Sequence, residues 1–327
     1  MKTININTLF LFVLCLLYSC STEEESDKTT SKEDVKEYLV SLKLTGEISS
    51  KDMPMSTRSA TSATDLYAIK VQKKANGSNT YSAFAEGLFD NPDDMNLYLK
   101  DDGKYQIVVS MLKDGKNLVY HPSSSYHYPY DIYYYSGSDM NTFRYASGYY
   151  NLDYLRTGKI QTAKYDLSDY PQCYRYYAEI TDYVPTEDGV INMELKMTGF
   201  GLKYEVAGLS DGAISLVIQN SSKTFVNESS ITSNVTSDEQ VFAFNDCYNA
   251  WLYADNYTEN LTVSIQWTRG IGITQDLGSK VIQVKRGQMN IVHITLGASD
   301  NSANIGIEVE AENTMTQEDV AIPLPAS

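Results

Sequence analysis

Histidine is nearly absent from this chain, with three in 327 residues, at positions 121, 127 and 293. That scarcity removes most side-chain chemistry near neutral pH, because histidine is the commonest general base and a common metal ligand. His121 and His127 flank tyrosines, but no cysteine or carboxylate stands at ligand spacing from them. No metal site is expected. His293 lies within MNIVHITL and reads as a half-buried residue of a strand. No GxSxG, phosphate loop or HExxH occurs. The glycine pairs at 199/201 and 270/272 lack the helix that a dinucleotide site requires, so they read as bulges or turns. Carboxylates are plentiful, and in so acidic a chain a pair says nothing without geometry. Neither an enzyme nor a cofactor is expected.

Positive charge is scarce too. Twenty-six Lys and Arg face 42 Asp and Glu, a formal net charge of −16. Such a polyanion has no electrostatic route to nucleic acid or to an anionic lipid surface.

Long apolar runs are also missing. The longest, Leu9 to Tyr18, is about ten residues, well short of the roughly 20 that span a bilayer as a helix. Preceded by Lys2, it reads as a secretory signal peptide over residues 1–19. Ser19 before Cys20 resembles a bacterial lipobox, in which the cysteine is lipidated and becomes the new N-terminus. The alternative is an ordinary signal peptide cut elsewhere. Loss of Lys2 with the leader takes the charge from −16 to −17. Two or more acyl chains give stable membrane anchoring. The Ser-Thr-Glu-Glu-Glu that follows Cys20 resembles the surface-export signal of Bacteroidota lipoproteins, the alternative being a soluble tether. A surface-exposed lipoprotein of the cell outer membrane is expected.

Four cysteines are present. Cys15 leaves with the leader and Cys20 takes lipid, so Cys173 and Cys247 remain. In an oxidising compartment they can form a disulfide, or they can stay as buried free thiols.

Residues 20–34 hold an acidic, polar run and are expected to be a disordered tether. Beyond it, VKEYLVSLKLTGEI alternates at Tyr38, Val40, Leu42 and Leu44, the period of a half-buried strand. A Ser/Thr-rich loop follows, then DLYAIKV and SNTYSAFAEGLFD. GKYQIVVSMLKDGKNLVY reads as strand, turn, strand, with Lys-Asp-Gly-Lys at the turn.

In the second half, short β-type runs recur at about ten-residue spacing with no amphipathic helix between them. They include GVINMELKMTGFGLKYEVAGL, AISLVIQN, AWLYA and SKVIQVKRGQMNIVHITL. That spacing predicts an all-β, antiparallel β-sandwich fold. The expected seam lies before Gly189, giving domains 35–187 and 188–327.

Between these halves, eleven tyrosines fall from Tyr120 to Tyr154, with prolines at 122 and 129. No period survives there, and long loops with at most a short helix are expected. Tyrosine offers an apolar face and a hydroxyl, suited to stacking on a sugar or touching a protein. Tyr126, Tyr128, Tyr130, Tyr133, Tyr134 and Tyr135 are the candidate ligand contacts. Tyrosine is also an ordinary strand residue.

A lipobox, a first strand, a loop with Thr-Arg-Ser and then DLYAIKV resemble the opening of the fimbrillin-like proteins of Bacteroidales. VKRGQMNIVHITLG is similar to that family's penultimate strand pair. The resemblance implies two transthyretin-like β-sandwich domains and assembly with other pilus subunits. It implies cleavage after an arginine in the loop beyond the first strand, here Arg58, whose alternative is a plain solvated loop residue. Loss of Glu37 to Ile48 would then open a groove for an extended segment of the next subunit. Ile305, Ile307 and Val309, or Val320, Ile322 and Leu324, are the candidate donor residues. Pro323 and Pro325 argue against the second set, because proline cannot donate to a ladder. A different reading is a glycan-binding lipoprotein that uses the tyrosine-rich face.

Overall fold

The computed structural model describes residues 34–47, 64–122, 125–127, 130–133, 140–145, 150–151, 153–164, 166–209, 211–218, 223–227, 234–236, 240–252, 256–270, 272–296 and 305–314. Cys20, Arg58, Tyr128, Tyr134, Tyr135, Val320, Ile322 and Leu324 lie outside them. The protein is built mostly of β-strands.

The first thirteen strands are β1 Glu37–Gly46, β2 Leu66–Ala75, β3 Ser82–Phe89, β4 Asn96–Lys100, β5 Gly103–Leu112, β6 Ser125–Tyr126, β7 Asp131–Tyr133, β8 Arg144–Tyr145, β9 Tyr150–Asn151, β10 Ile160–Ala163, β11 Asp166–Ser168, β12 Arg175–Tyr183 and β13 Gly189–Met197. Eight of them form one sheet in the order β4-β1-β13-β12-β5-β2-β3-β8. The sheet is curled. Its two ends meet where the Tyr98 N–H of β4 donates to the Tyr145 hydroxyl of β8 at 2.7 Å. Its interior holds Val40, Leu42, Tyr67, Ile69, Leu97, Leu99, Ile107, Val109, Ile191 and Met193 in one cluster.

β2, β5 and β12 are buried on both faces. Tyr67, Ile69, Ile107 and Val109 face the first cluster, while Leu66, Ala68, Val108, Leu112 and Tyr177 join another. Strands buried on both sides read as continuous apolar runs rather than alternation. QIVVSML in β5 and LYAIKV in β2 are such runs.

The remaining strands are β14 Gly199–Ala207, β15 Ala213–Ile218, β16 Lys223–Asn227, β17 Asn234–Thr236, β18 Gln240–Ala243, β19 Thr258–Thr268, β20 Thr274–Lys285, β21 Gln288–Leu296 and β22 Ile305–Thr314. One sheet runs β17-β14-β21-β22 with β18 also on β14, and a second runs β16-β15-β19-β20. A single core draws on both sheets, with Phe200, Leu202 and Tyr204 from β14, Ile214 and Leu216 from β15, Val263 and Ile265 from β19, and Val292 and Ile294 from β21.

Several expectations need correction. The seam at 187/188 does not fall between sheets, because β13 pairs with β1 and β12; the change of sheet comes at Thr198, between β13 and β14. The fold is not purely antiparallel, since β1–β13 and β14–β21 are parallel ladders. KDGK does not turn into a second strand. Asp114 takes a left-handed φ of 54°, its N–H donates to Asp65 Oδ1, and Gly115–Leu118 makes one helical turn. AWLYA, expected as a strand, has its first three residues, Ala250 to Leu252, in a short helix, Cys247–Leu252. The tyrosine-rich stretch contains β6, β7, β8 and β9 and a 3-10 turn, Asp153–Arg156, rather than loops alone.

Candidate functional site

The strand pattern at Tyr38 to Leu44 is realised as β1, and its place in the sheet makes it the candidate site. β1 lies between β4, antiparallel from Glu37–Lys100 to Ser41–Asn96, and β13, parallel from Val40–Gly189 to Gly46–Leu195. Alternation puts Val40 and Leu42 into the interior, with Leu44 packed against the same cluster. Lys43 on the other face is exposed. An isolated strand of this length has no stability of its own, so its two neighbours and this buried row hold it.

Both ends are fastened. Lys36 N donates to Asp101 Oδ1 at 3.0 Å and Leu39 N to Asp188 Oδ1 at 2.7 Å. At the far end Gly46 adopts a φ of +100°, where a Cβ would stand 2.5 Å from the Leu195 carbonyl oxygen. Only glycine fits that turn out of the ladder. Glu47 follows. Its N–H donates to Leu195 O at 2.8 Å, and its carboxylate accepts from Met197 N at 2.7 Å. Arg286, in the turn between β20 and β21, donates to the same carboxylate at 3.0 and 3.2 Å. Residues 48–63, with Arg58 among them, join this end of β1 to β2.

The tyrosines divide differently from the expectation. Tyr126 and Tyr130 are buried, in a cluster with Leu66, Ala68, Val108, Val119, Leu155 and Ile160. Tyr130 has no exposed surface, and its hydroxyl donates to Ser110 O at 3.4 Å. Burial pushes its phenol up. These two cover the outer face of β2, β5 and β12 and cannot stack on a ligand. Tyr133 falls in β7. Sequence reasoning missed Tyr145, which closes the curled sheet, and Tyr105, whose hydroxyl accepts from Lys100 N at 2.8 Å and donates to Lys100 O at 3.0 Å. Burial pushes Tyr105 up to about 12.

Cys173 and Cys247 are both buried and both free, so the possible disulfide is not formed. They share the cluster that holds Tyr130, and burial pushes the Cys173 thiol up to about 12. Arg175 beside them is buried, donating from Nε to Ser110 Oγ at 3.2 Å and from Nη2 to Leu155 O at 3.0 Å. Its Nη1 has no hydrogen-bond partner. His293 in β21 is half-buried, with Nδ1 3.2 Å from Glu205 Oε2. Among the described residues no group of His, Cys, Asp and Glu is placed to hold a metal ion.

Ile305, Ile307 and Val309 lie in β22, whose backbone pairs with β21 at the end of its sheet. They are part of this chain's own ladder.

No family model and no curated protein matches the chain. Among solved structures it is similar to a protein from Bacteroides eggerthii assigned to cell adhesion, at 11% identity, 84% of this chain, 95% of the other and a TM-score of 0.41. It is similar to the tip fimbrial protein Mfa3 of Porphyromonas gingivalis at 10% identity, 84% and 99% coverage and a TM-score of 0.38. The fimbrial anchor protein Mfa2 of the same organism gives 7% identity, 86% and 98% coverage and a TM-score of 0.38. The similarity is one of fold only. At such scores it carries no argument about what this chain does.

Proposed function

We propose that this chain is a surface-exposed outer-membrane lipoprotein of fimbrillin type. It acts as a pilus component or adhesin and assembles by strand exchange after cleavage at Arg58. Lipid at Cys20 holds the precursor to the membrane, and a trypsin-like protease hydrolyses the bond after Arg58. The freed β1 gives way to an extended segment of another subunit, for which Ile305, Ile307 and Val309 or Val320, Ile322 and Leu324 are the candidate inserting residues. Two sandwich domains, one on each side of Thr198, house the exchange.

One observation carries this reading. The first strand is inserted between β4 and β13, supplies Val40 and Leu42 to the core, and is joined to the rest through a segment containing Arg58. A strand so placed leaves two unpaired edges when it goes, and unpaired edges recruit extended chain. The glycan reading is weaker, because Tyr126 and Tyr130 are interior.

The test is limited digestion with a trypsin-like protease. Cleavage of the wild type should yield ladders that survive mild denaturation, while Arg58→Gln stays monomeric. A cut chain that remains a stable monomer at high concentration refutes strand exchange. Radiolabelled palmitate incorporated by wild type but not by Cys20→Ser checks the anchor.

A further inference from the structure

Glu47 and Arg286 form an ion pair of unequal burial. The Arg286 side chain is 3% exposed, whereas that of Glu47 is 40% exposed. Thus the cation belongs to the body of the protein, and the anion belongs to the end of β1. Both carboxylate oxygens are engaged, Oε2 by Nη1 at 3.0 Å and Oε1 by Nη2 at 3.2 Å. Nη1 also donates to Met197 O at 2.8 Å, while Met197 N donates back to Glu47 Oε2 at 2.7 Å. The pair therefore clamps the end of β1 onto the point where β13 passes into β14.

Arg286 is fixed independently of β1. Its own N–H donates to Tyr257 O at 3.0 Å, and the N–H of Gly287 donates to Gly199 O at 2.8 Å. The turn stays in place when β1 leaves, and the guanidinium stays with it. An apolar segment filling the slot would restore the contacts of Val40 and Leu42 but not the carboxylate. A segment lacking that carboxylate gives up the oxygens to which Met197 N, Nη1 and Nη2 donate, so the slot discriminates by charge as well as by shape.

We propose that Arg286 reads the strand that occupies the slot, and that an incoming segment must carry an acidic residue at the position of Glu47. The proposal rests on the strand-exchange reading above and names the chemistry of its partner. The required pattern is three alternating apolar residues with a carboxylate three places after the last, as in Val40, Leu42, Leu44 and Glu47. Ile305, Ile307, Val309 and Glu312 repeat that spacing, whereas Val320, Ile322 and Leu324 are followed at the same distance by Ser327. On this chemistry the first of the two candidate segments is the better occupant.

Two measurements test it. In the uncut full chain, Glu47→Gln should speed amide hydrogen exchange at Val40 and Leu42 about tenfold, as truncating one side of a partly buried charge pair does. Unchanged exchange overturns the clamp. In the second, the chain is cut at Arg58 and stripped of its first strand in mild denaturant. It then receives a synthetic peptide of residues 36–48, as wild type or with Glu47→Gln. Binding of the wild-type peptide about tenfold tighter supports the proposal. Equal binding overturns it and leaves strand exchange standing. If neither peptide binds although the first measurement succeeds, strand exchange itself has failed, and with it the demand on an incoming strand.

Discussion

Leu42→Ala is the sharpest perturbation of the slot. Leu42 is buried in the cluster that fills the curled sheet, its neighbour on the same face, Val40, is fully buried, and Lys43, the residue after Leu42, faces solvent. Truncating a buried leucine removes transfer free energy and leaves a cavity, about 3 kcal/mol together. The same reasoning gives about 2 kcal/mol for Val40→Ala. The two side chains stand two residues apart on one face, so the double variant should come out near 5 kcal/mol only within coupling error. Equilibrium denaturation of the uncut chain reads these values, with Lys43→Ala as the control, expected within about 0.5 kcal/mol of wild type. After cleavage at Arg58 the same residues set how long β1 stays bound. Five kcal/mol corresponds to more than three decades in retention, measurable as loss of the N-terminal fragment on size exclusion. Should Leu42→Ala cost under about 1 kcal/mol, or Lys43→Ala cost as much, β1 is not held by its buried row.

Three other outcomes follow from the interior. Cys173 and Cys247 should not react with Ellman's reagent until the chain unfolds, and rapid native reaction would contradict their burial. The folded thiol of Cys173 is pushed from 9.0 up to about 12 by burial. Because the folded state holds this proton more tightly, its stabilising contribution is whole below about pH 9 and is lost as pH rises toward 12; at pH 10 the loss is about 1 kcal/mol. Cys247 and Tyr130 shift in the same direction and steepen it, so a denaturation midpoint that is flat from pH 8 to 10 would refute this. Gly158→Ala should destabilise the chain by about 3 kcal/mol, since a Cβ there would stand 1.7 Å from Phe244 O. A loss under about 1 kcal/mol, measured by calorimetry, would mean that the strand end at Phe244 yields.

The β character and the first strand were legible because they rest on local period. Alternation at Val40, Leu42 and Leu44 states which side chains share a face, whatever lies beside them. The continuous runs in β2 and β5 carried more than was read from them. They mark strands covered on both faces, so something must cover the outer one. That cover includes residues of the tyrosine-rich stretch, whose Tyr126 and Tyr130 share a cluster with Ala68 and Val108. Tyrosine's double character hid the answer, since the same residue suits a binding face and an interior where its hydroxyl finds a carbonyl. Cysteine misled less, because its two outcomes were both open and burial without bonding is one of them. The Glu47–Arg286 pair left no local mark at all. Its members are 239 residues apart, and only the folded chain brings them together.

The neighbours of β1 were beyond the sequence for the same reason, yet they determine what the slot can accept. β4 runs antiparallel to β1 and β13 runs parallel to it. With adjacent strands about 4.8 Å apart, removal of β1 leaves β4 and β13 separated by about 9.6 Å. That gap is too wide for them to hydrogen-bond to each other and wide enough for one extended chain. A helix has a similar diameter, about 10 Å, but its backbone groups are already paired within itself. It would leave both edges unsatisfied. Only a strand with free N–H and C=O groups on both sides closes the sheet again. The stripped protein should therefore bind extended peptides with an alternating apolar row and reject helical ones of the same composition. Circular dichroism of the complex decides: added strand signal is expected, and retained peptide helix would mean that the peptide docks elsewhere.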